Sequence, residues 1–416
     1  MRDNENIFNL SGLSEKPFTM QPVKSHRIES IDLLRGFVMV LMLLDHVRDY
    51  FHFGNITANL NPLDPLESSV PVYLTRWITH LCAPTFVALA GISIFLQLKK
   101  NRNKSGYSLS TFLFTRGLWF IFLELTVVNF AWSFDPSFQF SFLQVIWAIG
   151  ISMVCMSLLI HIPWKLAFGL GILITLLHNL TDAFEPEAIN LTGIIWAFLH
   201  QGGKMVLGGE RLLYVAYPFI PWLGIMLLGF GAGPLFLASV SVANRAKTLK
   251  ISGFTLLASF VVLRIFNQFG DPKPWKSAPG SRAFWFEFFD VDKYPPSLLY
   301  ALATLGIGCF LLILFEDYRS PFRRAFLVFG RVPFFYYVTH LYLIHTLALL
   351  TFFIRGGTMK QINTSINFGG IPPGYDFGIA GVYGFWLLSL LLLFPVCSWF
   401  EKVKAARKDS WWISYL

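Results

Sequence analysis

The chain has 416 residues, of which 55% are hydrophobic and 14% charged, where an average soluble domain carries roughly 25% charged residues; so much apolar surface does not fit one soluble core. The formal net charge of +9 does not mark a nucleic-acid binder, because the Lys and Arg fall in short clusters between apolar runs and form no single patch or basic helix. The cysteines Cys82, Cys155, Cys309 and Cys397 lie in or beside those runs, with no CxxC and no metal-ligand spacing, so they read as small buried hydrophobes and no metal site is expected.

Residues 1–30 are polar, with Lys16, Lys24 and Arg27 and no apolar h-region, so the first apolar segment is expected to serve as the insertion signal. From there apolar runs recur to residue 400 without a soluble block between them. Only helices or closed barrels satisfy their backbone hydrogen bonds in lipid, and a helix needs roughly 20 apolar residues to cross. The long continuous runs exclude the barrel. The expected fold is all-α and polytopic, with about ten spans: 31–46, 74–98, 109–131, 141–162, 164–180, 212–238, 249–266, 296–316, 325–353 and 378–400. The fifth is short enough to be re-entrant, and 191–200 is a candidate interfacial or eleventh helix. The organisation is then a segment 1–30, one membrane domain 31–400 and a tail 401–416.

Cytoplasmic loops carry the Lys and Arg excess. With both termini inside, the inner segments hold 19 of these residues and the outer loops 9, and no inner segment is empty. Trp77, Trp119, Trp132, Trp147, Trp164 and Trp411-Trp412 are expected interface anchors. The longest outer loops, 47–73, 181–211, 267–295 and 354–377, are suited to cover an outward-facing site.

Ionisable residues inside a span are costly unless paired or hydrated, so each is a functional candidate. In the first span Arg35 and His46 are eleven residues apart; on a helix that is three turns plus about 20°, or about 16 Å on one face. His46, with an imidazole titrating near neutrality, is suited to act as a general base. Asp45 points about 100° away from it, so it is expected to orient another group. His80 falls at the same outer level, with Arg76 one turn earlier to hold Asp45 or an acidic acceptor. Glu124 is expected to pair with Arg116 or Arg35. Asn129, His178 and Asn179 lie near outer ends of spans and are candidate acceptor contacts. In the ninth run, Gly330-Arg331-Val332-Pro333 precedes His340 and His345; Pro333 is expected to kink a continuous helix. Arg331, Arg35 and Arg116 share the inner level, near Arg319, Arg323 and Arg324. Gly229-Phe-Gly-Ala-Gly233 follows no strand and reads as close helix packing.

The pattern Ile31-Asp32-Leu33-Leu34-Arg35-Gly36 followed by His46, with Asp45-His46-Val47-Arg48-Asp49-Tyr50-Phe51 and Arg76-Trp77-Ile78-Thr79-His80-Leu81-Cys82-Ala83-Pro84-Thr85-Phe86, then Ala90-Gly91, resembles the bacterial branch of the heparan-alpha-glucosaminide N-acetyltransferase catalytic-domain family, within the transmembrane acyltransferase superfamily. The resemblance is strongest over the first third of the chain. It implies an enzyme of the bacterial cytoplasmic membrane that takes an acetyl or other acyl group from acyl-CoA inside and passes it to an amine or hydroxyl of a sugar or glycan outside, without a metal. On these residues it makes Arg35, with Arg116 and Arg331, contacts for the anionic CoA, and His46 the base, assisted by Asp45 and His80. Lysosomal members carry Asn at the position of Asp45, and their catalytic histidine aligns nearer His52, so the choice among His46, His52 and His80 stays open. A homodimer is compatible with this reading. The rival expectation is a secondary transporter using the buried Arg, Glu and His as a substrate or proton path. It predicts inverted repeats and paired broken helices, which the sequence does not display.

Overall fold

A computed structural model describes residues 28–52, 63, 68–100, 107–187, 189–208, 211–364, 368–372, 374–407, 410, 413 and 415. The expected N-terminal cytoplasmic segment, apart from residues 28–30, and the Trp411-Trp412 anchor lie outside them. The described residues are 74% helical. Among the described residues eight helical stretches are long and apolar enough to cross a membrane, which makes this an integral membrane protein. They are Val70–Lys100, Leu109–Ser133, Trp164–Thr181, Phe219–Phe236, Val242–Phe266, Leu298–Asp317, Pro333–Ile354 and Gly378–Ala406. Two expected spans fall outside that set. Helix α1 (Glu29–Phe51) has the length but carries charges at both ends, and Val145–Leu159 is apolar but only 15 residues long.

Several runs that look continuous in sequence are divided. The second is α2 (Val70–Thr79) and α3 (Cys82–Lys100), parted at His80 and Leu81. The third is α4 (Tyr107–Leu123), a π turn Glu124–Val128, and α5 (Asn129–Ser133). The fourth does not begin at residue 141: β1 (Phe140–Leu143) precedes α6 (Val145–Leu159). After α7 (Trp164–Leu177) comes a 3-10 turn His178–Thr181. The stretch around 191–200 is short helix α8 (Leu191–Trp196) plus a π turn Ala197–Gln201, too short to span. The sixth run opens as a hairpin, β2 (Gly203–Leu207) and β3 (Arg211–Val215), before α9 (Phe219–Ala232). The fold is therefore not purely helical. β3 pairs parallel with β1 and antiparallel with β2, and the β-branched and aromatic residues of 140–143 and 211–215 favour a pleated, half-buried surface.

Beyond α10 (Val242–Phe266) and α11 (Arg282–Phe289), α12 (Leu298–Leu314) starts behind an N-cap serine, Ser297, whose hydroxyl accepts from the Tyr300 amide. The ninth run is not one kinked helix. α13 (Arg323–Arg331) stops, Val332 takes φ −126°, ψ 48°, and α14 begins at Pro333. Proline has no amide to donate and disfavours a helical residue before it, so it starts a new helix here. α15 (Gly378–Ala406) ends the bundle.

Small residues set two crossings. A methyl added at Gly36 of α1 would strike the Phe326 carbonyl of α13, and one at Gly330 would strike the Asp32 carbonyl. Gly229 of α9 likewise meets the Ala88 carbonyl of α3, so the Gly229–Gly233 cluster is a packing device. Cys82 and Cys397 are buried, whereas Cys155 and Cys309 are half-buried, and all are thiols.

The two ends of the described bundle share one face. Arg331 reaches Glu401 near the end of α15 at 2.8 Å and Glu29 at the start of α1 at 3.8 Å. Arg245 at the start of α10 grips Glu316 beyond α12 at 2.6 and 2.9 Å.

Candidate active site

The opposite end of α1 carries the chemistry. His46 packs edge-on against Trp132 at 4.8 Å, and its Nδ1 lies 2.7 Å from Nε2 of His340 in α14. His340 in turn places Nδ1 3.1 Å from the Tyr336 carbonyl. A carbonyl only accepts, so that Nδ1 carries the hydrogen. In neutral His340 the Nε2 is then a bare acceptor, and His46 must donate to it from Nδ1. The Nε2 of a neutral His46 is left with its lone pair. His340, noted in the sequence only as part of the ninth run, thus fixes the tautomer of the first-span histidine. Trp132, expected at an interface, is buried beside this pair.

His46 lines a cavity of about 30 Å³ together with Val38, Met39 and Met42 of α1, Cys82, Ala83 and Phe86 of α3, Gln144 to Ile146, Tyr217, Tyr337, Asp45 and Lys293. That is room for a water molecule or two. The three apolar residues of α1 run from His46 toward the level of Arg35, which is not among the lining residues.

Asp45 does not bond His46. It takes Nη1 of Arg76 through both oxygens at 3.1 and 2.8 Å, Nη2 of Arg48 at 2.9 Å and the Thr79 hydroxyl at 3.0 Å, with the Lys293 ammonium at 3.9 Å. One buried carboxylate thus gathers three cations. Sequence reasoning missed Lys293, since it lies in a loop after α11 where no helical period marks it. It is 6% exposed, and its ammonium sits over the rings of Tyr217 and Tyr294. Asp271 anchors that loop by accepting the Ser297 hydroxyl at 2.6 Å and the amides of Asp292 and Lys273 at 2.9 Å each. Burial pushes the Asp271 carboxyl up to about 6, against the opposing pull of those hydrogen bonds and of Arg264.

The remaining expected site residues separate into groups. His80 stands at the α2–α3 break behind Asp45. Its Nδ1 donates to the Arg76 carbonyl at 2.9 Å, and its own carbonyl accepts the Tyr300 hydroxyl. His52 caps the end of α1. Asn129 donates to Ser141 and accepts from the Phe142 amide, fastening β1 to α5. Asn179 donates to Asp182 and accepts the Leu298 amide at 2.9 Å, and His178 packs on His200; none of these three lines the cavity. Glu124 is fully buried and accepts the Gln144 amide at 2.8 Å; among the described residues no ion pair joins it to Arg116 or Arg35, because the π turn rotates it toward β1 and α6.

At the other end, Arg35 donates to Asp32, to the Gly330 carbonyl and to Ser93 of α3 at 3.0 to 3.3 Å. Arg116 lies between the rings of Phe112 and Phe120 and within electrostatic reach of Arg35. Arg331 is 4.0 Å from the other oxygen of Asp32. The three expected CoA-binding cations therefore sit on the face where the bundle's ends meet, apart from the histidine pair.

The model of the family described as "Heparan-alpha-glucosaminide N-acetyltransferase, catalytic" matches residues 27–263, more than half of the chain. The matched segment holds Arg35, Asp45, His46 and Arg76, while Lys293 and His340 lie beyond it. No curated protein sequence matches the chain.

Proposed function

The chain belongs to the heparan-alpha-glucosaminide N-acetyltransferase catalytic family, and from that premise we propose that it transfers an acetyl or similar acyl group from cytoplasmic acyl-CoA to an amine or hydroxyl of a sugar on the far side of the bacterial cytoplasmic membrane. The observation that carries the chemical half of this reading is the His46–His340 hydrogen bond, which leaves the other nitrogen of His46, a residue of the cavity wall, with its lone pair unshared.

In the proposed reaction the acceptor nitrogen or oxygen attacks the thioester carbonyl, and Nε2 of His46 takes its proton. The imidazolium keeps its Nδ1–H on His340. Negative charge that develops on the carbonyl oxygen is met by the Lys293 ammonium, which faces the same cavity. When the intermediate collapses, the CoA sulfur leaves with the electron pair and recovers the proton from His46. Asp45 holds Arg76, Arg48 and Lys293 in register for this, with His80 supporting the α2–α3 break. Arg35, Arg116 and Arg331 receive the CoA phosphates at the inner face. The pantetheine arm follows α1 past Val38 and Met42, and the flexible Met39 and Met42 thioethers move aside to admit it.

The breaks between α2 and α3 and between α13 and α14 are of the kind that transporters use. Here Arg76 of α2 bonds Asp45 and His340 of α14 bonds His46, and Asp45 and His46 line one cavity, which favours chemistry over passage.

The test is transfer from radiolabelled acetyl-CoA to glucosamine-terminated oligosaccharides by purified protein, with CoA release followed in parallel. Wild type should turn over and His46→Ala should not. Wild type that neither binds nor consumes any acyl-CoA would remove the enzymatic reading.

A further inference from the structure

A second cluster of ligating side chains lies outside the proposed active site. The 3-10 turn His178–Thr181 sets His178 and Asp182 four residues apart at the end of α7, and the π turn Ala197–Gln201 turns His200 toward them. One ligating atom from each of His178, Asp182 and His200 lies within 4.8 Å of the others. π turns are rare and recur at functional sites. Nε2 of His200 is 2.9 Å from Oδ1 of Asp182. Two ligands on one tetrahedral zinc, with bonds of about 2.0–2.1 Å, stand about 3.3 Å apart, so this hydrogen-bonded pair needs to part by only about 0.4 Å to share an ion.

His178 supplies the independent observation. It is 7% exposed, and among the described residues neither of its ring nitrogens closes a hydrogen bond. A buried imidazole without a partner loses its hydration for nothing. The Pro296 carbonyl lies beside the ring, and metal-binding imidazoles commonly give their second N–H to such a carbonyl. Asp182 is similarly supported: Asn179 donates to its other oxygen at 2.7 Å, leaving Oδ1 for the cluster. The Asp182 side chain is 22% exposed, so a cation has a way in from water.

We propose that His178, Asp182 and His200 bind a divalent cation of the zinc class, with the fourth position open to water. Two imidazoles and one carboxylate are a set that zinc accepts, and they are too rich in nitrogen for calcium or magnesium. The bound ion is a brace. It ties the end of α7 to the turn before β2, and through the Asn179–Leu298 and Pro296 contacts it steadies the loop that carries Lys293. The sequence hides this site because the second histidine follows His178 by 22 residues, with no short ligand motif.

Tag-free protein in detergent, stripped with chelator, should take up one zinc per chain in competition with a chromophoric chelator. Cobalt should give the intense visible bands of a low-coordinate site. The variants His178→Gln and Asp182→Asn should each weaken zinc at least tenfold and remove the cobalt bands, with elution volume and unfolding temperature in chelator unchanged. If those variants do not fold, X-ray absorption on zinc-loaded wild type decides: imidazole scattering from two ligands upholds the site, and its absence overturns it. Zinc uptake by wild type no greater than by His178→Gln/His200→Gln also overturns it.

Discussion

Nδ1 of His46 and Nε2 of His340 stand 2.7 Å apart, with the far nitrogen of His340 on the Tyr336 carbonyl, so two helices distant in sequence lock one imidazole into one tautomer. His340→Ala should therefore lower kcat by between about 10-fold and the roughly 10⁴-fold known for a catalytic histidine left in the wrong tautomer. KM for acyl-CoA should hardly move. His340→Gln keeps an acceptor for His46 and should recover part of the loss, with an altered pH–rate profile. Equal loss in both variants and an unchanged profile would make His340 a packing residue.

His46 itself carries the larger expectation. Removing a general base costs about 10²–10⁴-fold, so His46→Ala should depress kcat into that range while acyl-CoA binding, followed by calorimetry, persists. Activity within threefold of wild type would shift the base to His52 or His80.

Asp45 concentrates the opposite risk. Asp45→Ala leaves Arg48, Arg76 and Lys293 crowded without their anion, and breaking a buried pair on one side costs about 3–5 kcal/mol. A marked fall in the unfolding temperature of detergent-solubilised protein is expected. Adding Lys293→Ala to that variant should restore part of the stability, since it removes one of the stranded cations. Simple additivity of the two losses would contradict the cluster.

The α1–α13 crossing depends on two glycines. Gly36→Leu should abolish folded protein in membranes, because its side chain would enter the backbone of Phe326. Phe37→Leu next to it, half-buried and apolar, should fold. Detergent solubility and size-exclusion profile distinguish them.

Asp271 gives a pH signature. Its carboxyl titrates higher in the folded chain, at about 6, than the ordinary value of 3.8, so the folded state binds the proton more tightly. The stability this favours is complete below about pH 4 and is lost as pH rises through 6, by an amount on the order of 3 kcal/mol. Asp271→Asn should flatten the dependence of unfolding temperature between pH 4 and 6. An unaltered slope would place the titration on another group.

The run lengths, the sparse charge and the paired Arg35 and His46 on one helix were enough to establish a helical membrane protein, because a bilayer imposes its thickness and its intolerance of bare backbone on every crossing segment. The resemblance carried by Asp32, Arg35, Gly36 and His46 identified the family. Pro333 marked the place of the Val332 break, though not that it ends one helix and starts another; local sequence could not place the breaks at His80 and Glu124, since apolar residues serve strand, π turn and helix alike inside lipid or protein. Arg76 was among the partners expected for Asp45, and the structure pairs them, but most other partners of the buried charges lay out of reach. Asp45 added Lys293 and Arg48 to Arg76, Glu124 chose an amide instead of an arginine, and His46 met a histidine 294 residues away, outcomes fixed by which helices pack together and by the cost of leaving a buried polar group without a partner within about 3 Å.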